Sequence, residues 1–148
     1  MPTVRLARPL ELVGQGYEGE DIDGFYAPSS HEIVIASGYT ELITLSLLAH
    51  ELVHAWQNEN GLSGCEKQLL EGFAVWVEMR VLYRLKAPAV AANHVSRRDR
   101  VYGQGLRKCL SIEVACGVDG LLAFVRENLR FPFWVNLKGA FGDLFLAA

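Results

Sequence analysis

The chain reads as an α+β domain, a small N-terminal antiparallel sheet followed by a helical half. Three observations point there. Through residue 39 the sequence runs in short β-branched and aromatic stretches broken by glycine and proline. From Thr40 onward it carries long segments with helix start and stop signals. With 148 residues, 51% of them apolar and 21% charged, it has the length and composition of one globular domain with a sizeable core.

Residues 4–7 and 10–13 are short apolar runs, punctuated by Pro9, Gly14 and Gly16, and are expected as strands. Residues 24–27 and 32–36 flank Pro28-Ser29-Ser30-His31, the signature of a hairpin turn, which places His31 at an exposed tip rather than at a site. Gly38 ends the strand. Thr40 is the expected N-cap of a helix that stops at Asn60-Gly61, glycine suiting the left-handed cap. Residues 62–64 form a short loop before a second helix over 66–86. Pro88 closes that region, and residues 87–93 read as a linker. Two more helices follow, over about 97–115 and 118–129, separated by Cys116-Gly117, with Gly103 and Gly105 weakening the first. Beyond residue 131 the chain is apolar and holds Phe131, Phe133, Trp134, Phe141 and Phe145. This run is expected to pack over the core or to mediate self-association with a second copy.

Several functions are excluded by charge and composition. A net charge of −3 offers no electrostatic footprint for nucleic acid or an anionic membrane surface. Arg97, Arg98 and Arg100 are interrupted by Asp99 and read as a solvated face or helix start. No segment approaches the roughly 20 apolar residues of a membrane span. The first ten residues lack a signal-peptide core, so a cytoplasmic protein is the expectation. Cys65, Cys109 and Cys116 lack disulfide or zinc-ribbon spacing, and the latter two are expected as small core residues on one helical face.

The chemistry concentrates in His50-Glu51-Leu52-Val53-His54. Imidazoles four apart on a helix lie on one face, about one turn or ~6 Å apart along the axis, so both can reach one metal ion. Glu51 is rotated about 100° from His50, close enough to address a water on that ion. Two of the chain's four histidines fall at this spacing, on a helix whose leucines, Val53, Ala55 and Trp56 make it apolar on nearly every face. A buried helix of this kind holds an ionised glutamate at ease only beside a compensating charge.

A carboxylate from a second helix would complete a His2Glu set with one position open for water. Glu71, near the start of the second helix and beside Gly72, is the preferred third ligand. Glu78 is its competitor, or else a hydrogen-bond partner for a ligand histidine, or a surface partner of Arg80 or Lys86. Glu66 is expected in solvent. Zinc suits two imidazoles and one carboxylate, and an open position suits hydrolysis. Glu51 would act as general base. Tyr102, flanked by glycine, is a candidate donor to the developing oxyanion, with a packed or surface tyrosine as the alternative. His94 and Asp119 have weaker claims as outer partners of the ligands. An edge strand at 33–36 could hold an extended peptide over the metal.

Residues 48–56, Leu-Ala-His-Glu-Leu-Val-His-Ala-Trp, with Leu70-Glu71-Gly72-Phe73-Ala74, resemble the minimal gluzincin, or peptidase MA-like, proteins. Tyr102-Gly103-Gln104-Gly105-Leu106-Arg107 and residues 117–122 are more specifically similar to the peptidase domain of the ubiquitin-activated metallopeptidases that limit plant organ growth. The likeness covers about residues 30–132. It implies a minimal zincin fold, zinc held by His50, His54 and Glu71, catalysis by Glu51, and endopeptidase cleavage of protein or peptide substrates. Neither the ubiquitin-binding helices nor the Cys/His-rich module of the plant proteins has a counterpart here. Val75 stands where thermolysin-like enzymes place an acid four residues after the third ligand, so the outer support of the ligands must come from elsewhere. A non-catalytic zinc-binding regulatory or interaction module is the competing expectation.

Overall fold

The computed structural model describes residues 1–12 and 23–132. Its architecture is α+β, a three-stranded sheet followed by four helices. Strands β1 (Thr3–Ala7), β2 (Gly24–Ala27) and β3 (Glu32–Ala36) lie in the order β1-β3-β2. The sheet is mixed rather than antiparallel: β2 pairs antiparallel with β3, but β1 runs parallel to it, with Val4 opposite Ile33 and Leu6 opposite Ile35. The expected edge strand at 33–36 is therefore the middle strand. Ile33, Val34 and Ile35 are fully buried, as a strand covered on both faces and both edges must be. β2 is the edge beside the helices. Of residues 10–13, expected as a strand, residues 10–12 belong instead to the one-turn helix α1 (Pro9–Leu12), because proline fits the first helical position as well as it breaks a strand, and residue 13 lies outside the described residues.

The hairpin between β2 and β3 turns where expected, with His31 in the left-handed region at φ 52°. It is half-exposed, and Tyr26 Oη lies 2.9 Å from its Nδ1. Helix α2 (Glu41–Glu59) begins at Thr40, whose hydroxyl accepts from the Ile43 N–H, and ends at Asn60 ahead of Gly61 at φ 72°. Only a residue without a Cβ adopts that conformation freely. After a short 3-10 turn at Leu62–Gly64 comes α3 (Lys67–Arg84).

The most deeply placed helix is α3, not α2. It packs against α2 on one side and α4 and α5 on the other. Leu69, Phe73, Ala74, Val75, Trp76, Met79 and Leu82 fill the main core with Leu106, Cys109, Ile112, Leu121 and Val125. Leu45 and Leu52 of α2 face outward and are more than a third exposed. Gly72 of α3 meets Gly105 of α5 backbone to backbone: a Cβ on Gly72 would come within 2.5 Å of the Gly105 carbonyl carbon. Gly72 thus serves the α3–α5 crossing.

The expected linker at 87–93 is helix α4 (Pro88–Ser96), with Pro88 in its first turn. Helix α5 (Tyr102–Glu127) starts later than expected, because the Asp99 carboxylate accepts from the backbone N–H groups of Tyr102 and Gly103. It kinks at Gly117, whose φ is 74°, where the sequence separates two helices. Cys109 is buried as expected, whereas Cys116 is exposed beside that kink. Phe131 is buried and stacks on Phe124; residues 133–148, with the rest of the aromatic run, lie outside the described residues. Among the described residues no helix is long and apolar enough to cross a membrane.

Candidate metal centre

α2 and α3 lie side by side, and their facing surfaces bring three ligating side chains together. The helical period puts His50 and His54 on the same side of α2, with ring centroids 4.9 Å apart. Glu71 reaches them from the first half of α3. Its Oε2 lies 3.2 Å from His50 Nε2 and 3.4 Å from His54 Nε2. One ligand atom from each of the three falls within 4.8 Å of the other two, so the group could hold a metal ion. For a small divalent ion bound at about 2.0–2.1 Å, the edge of a coordination tetrahedron is about 3.3 Å. The two nitrogen–oxygen separations match that edge, and the donor set fits.

The outer nitrogen of each imidazole also has a partner. His50 Nδ1 lies 3.3 Å from Glu78 Oε2, and Ser46 Oγ donates to Glu78 Oε1. His54 Nδ1 lies 2.8 Å from Gln57 Oε1. Acceptors at Nδ1 leave Nε2 for the metal and fix the ring plane, the usual support of a ligating histidine. Between the two carboxylates offered by the sequence, position decides: seven residues, two helical turns, carry Glu78 past the metal side of His50 to its far side. Glu78 is therefore the partner of His50 Nδ1, away from the three grouped atoms.

Glu51 is buried, only 6% exposed. It points toward the sheet side of α2, with the Tyr26 backbone of β2 among the groups that favour its charged form. Gly24, at the start of β2, lies next to it: a Cβ there would sit in ordinary contact, 3.6 Å from Glu51 Cγ, but would crowd Ile35 Cδ1 and the Val34 carbonyl oxygen. A cavity of about 600 Å³ opens at this point. His50, Glu51, Glu78, Asp23, His94 and Tyr102 are among the residues that line it, whereas His54 and Glu71 are not.

The electrostatics follow from burial and from close charges of opposite sign. Burial alone would lower the His50 pKa, but hydrogen bonds to Glu71 and Glu78 outweigh it and raise the value to about 10. Burial likewise opposes ionisation of Glu71, yet the hydrogen bonds from His50 and His54 hold its carboxyl well below the usual carboxylate range. Glu78 is held down in the same way against its own burial, chiefly by His50. Glu51 goes the other way. Burial pushes it up, His50 and His54 pull it back, and the Glu71 charge adds to the rise.

Comparison with family models, with curated proteins and with solved structures gives no match for this chain. The site therefore has to be read from its own atoms.

Of the residues singled out in the sequence, His50, His54 and Glu71 converge, and Glu51 lies beside them. Tyr102 lines the same cavity, with the Arg97 guanidinium 4.6 Å from its ring centroid. His94 approaches the centre from α4, its Nε2 3.5 Å from Glu78 Oε1. Asp119 does not take part; it is exposed on α5 beyond the kink. Glu66 is exposed, as expected. Gln57 and Ser46 escaped the sequence reading. Gln57 falls three residues after His54, on the same face, and that spacing is the signal that could have found it.

Proposed function

We propose that this chain is a zinc-dependent endopeptidase of gluzincin type, cleaving protein or peptide substrates. The observation that carries the proposal is the convergence of His50, His54 and Glu71 next to a buried carboxyl group opening on a cavity. Zinc is favoured over magnesium or calcium because two of three donors are imidazole nitrogens. A ligand set of three also suits hydrolysis, since purely structural zinc sites close with a fourth protein ligand. When bound, the ion polarises a carbonyl and makes a coordinated water acidic near neutral pH.

The chain's own residues do the rest. His50, His54 and Glu71 hold the ion, with Glu78 and Gln57 keeping the rings in place. Glu51 takes the proton of the attacking water and passes it to the departing amine. Its raised pKa brings it toward the pH at which a general base works best. Tyr102, which lines the same cavity as Glu51, donates its hydroxyl to the carbonyl oxygen as charge builds there. β2, the edge strand bordering Glu51, takes the role expected of 33–36 and aligns an extended substrate by main-chain pairing. The resemblance of residues 30–132 to gluzincin peptidases supports the same reading.

The test compares wild type with Glu51→Gln and Tyr102→Phe, measuring zinc content and cleavage of unfolded casein. All three should bind one zinc. Glu51→Gln should lose roughly 10²–10⁴-fold in rate, the usual span for a positioned base. Tyr102→Phe should lose roughly 10-fold or more in kcat at unchanged zinc content. Zinc bound without cleavage by wild type would select the non-catalytic binding module instead.

A further inference from the structure

Gln57 is 3% exposed, and its amide engages two groups at once. Oε1 lies 2.8 Å from His54 Nδ1, while Nε2 donates to the Leu70 carbonyl at 2.9 Å. Only this orientation satisfies both partners, because a carbonyl accepts from the amide nitrogen and not from the amide oxygen. The amide oxygen can only accept, so His54 Nδ1 carries the hydrogen. In the neutral ring that a metal requires, the lone pair then falls on Nε2, the atom 3.4 Å from Glu71 Oε2. An isolated imidazole prefers the opposite tautomer, with its hydrogen on Nε2 and that nitrogen blocked. The second anchor matters equally. Leu70 immediately precedes Glu71, so the same side chain ties the ring of a ligand on α2 to the main chain beside a ligand on α3.

We infer that Gln57 is a positioning residue that sets His54 and Glu71 together for metal capture. The inference rests on the metal reading above and goes beyond it, assigning the preorganisation of ligands on two helices to one buried amide. It also complements Glu78: His50 is supported from α3, whereas the partner of His54 comes from α2 itself.

The experiment measures zinc dissociation constants of the full chain by chelator competition, and the visible spectrum of the cobalt-substituted protein. Wild type, the near-isosteric Gln57→Met and the acceptor-restoring Gln57→Glu are compared. Gln57→Met should bind zinc roughly 10–100-fold more weakly, the usual cost of removing an outer-shell partner. Its cobalt absorption should change in position and intensity, which a remote packing defect would not produce. Gln57→Glu should bind more tightly than Gln57→Met, because it again offers an acceptor to His54 Nδ1. A dissociation constant for Gln57→Met within threefold of wild type, with the same cobalt spectrum, overturns the inference. So does a Gln57→Glu variant no tighter than Gln57→Met. If Gln57→Met does not fold, Gln57→Asn, one methylene too short for both contacts, replaces it with the same expected loss. A wild-type chain that binds no zinc removes the metal reading itself, and that failure is distinguishable from the others.

Discussion

Metal capture by this centre should release a proton, and the size of the effect can be worked from the atoms around His50. Each nitrogen of that ring faces a carboxylate, Glu71 Oε2 at 3.2 Å and Glu78 Oε2 at 3.3 Å. Burial opposes the charged ring, but the two carboxylates win and raise its pKa to about 10. A metal needs a bare Nε2, so it competes with a proton. At pH 7, about three pH units lower, displacing that proton costs roughly 4 kcal/mol at about 1.4 kcal/mol per unit. Apparent zinc affinity should accordingly rise about tenfold per pH unit between about pH 7 and 9, then level off above about 10. Chelator competition across this range gives the slope. Calorimetry in two buffers of different ionisation enthalpy counts the proton. The metal-free fold shows the same linkage with a definite sign. Because the folded pKa of His50 is raised, its contribution to stability is complete below about pH 6.5, the ordinary histidine value. That contribution is lost as pH climbs through about 10. An affinity independent of pH between 7 and 9, with no proton released, would refute this account of the site.

Two further outcomes test the assignment of roles. Glu71→Ala should abolish stoichiometric zinc binding, whereas Glu78→Ala should keep the metal but weaken it roughly 10–100-fold, as for an outer partner; equilibrium dialysis distinguishes them, and the reverse order would exchange the two residues. Gly72→Ala should destabilise the protein by about 1–3 kcal/mol, since its Cβ would press on the Gly105 backbone and force α3 from α5. Thermal unfolding should then fall by roughly 2–12 °C at about 2–4 °C per kcal/mol for a domain near this size. An unchanged midpoint would show that the crossing is looser than the structure has it.

Helix α2 and its pair of histidines were legible in the sequence because both depend on local geometry. Thr40, Asn60 and Gly61 are capping residues with their own stereochemistry, and a spacing of four puts two side chains on one face wherever the helix lies. Gly117 was legible for a similar reason, its positive φ marking a break that few other residues tolerate. Local signals failed where one residue serves two conformations. A proline shortly after a helix reads as a stop, yet Pro88 starts the next helix, so α4 read as a linker. Pro9 stands equally well at a strand boundary and in a first helical turn, which hid α1. Strand direction was not legible at all: the residues of β1 are the same whether it pairs parallel or antiparallel, and contacts with β3 decide.

What the sequence determined by itself is a helix presenting two imidazoles and an acid, because hydrogen bonding from each residue to its fourth neighbour fixes that arrangement without outside help. That Glu71 rather than Glu78 meets both Nε2 atoms, that Gln57 pairs with His54 Nδ1, and that Tyr102 and Glu51 line one cavity were decided only in the tertiary structure. Each depends on how far α3 is rotated and how closely it lies against α2 and α5. Those quantities are set by packing across the whole core, down to the contact of Gly72 with Gly105.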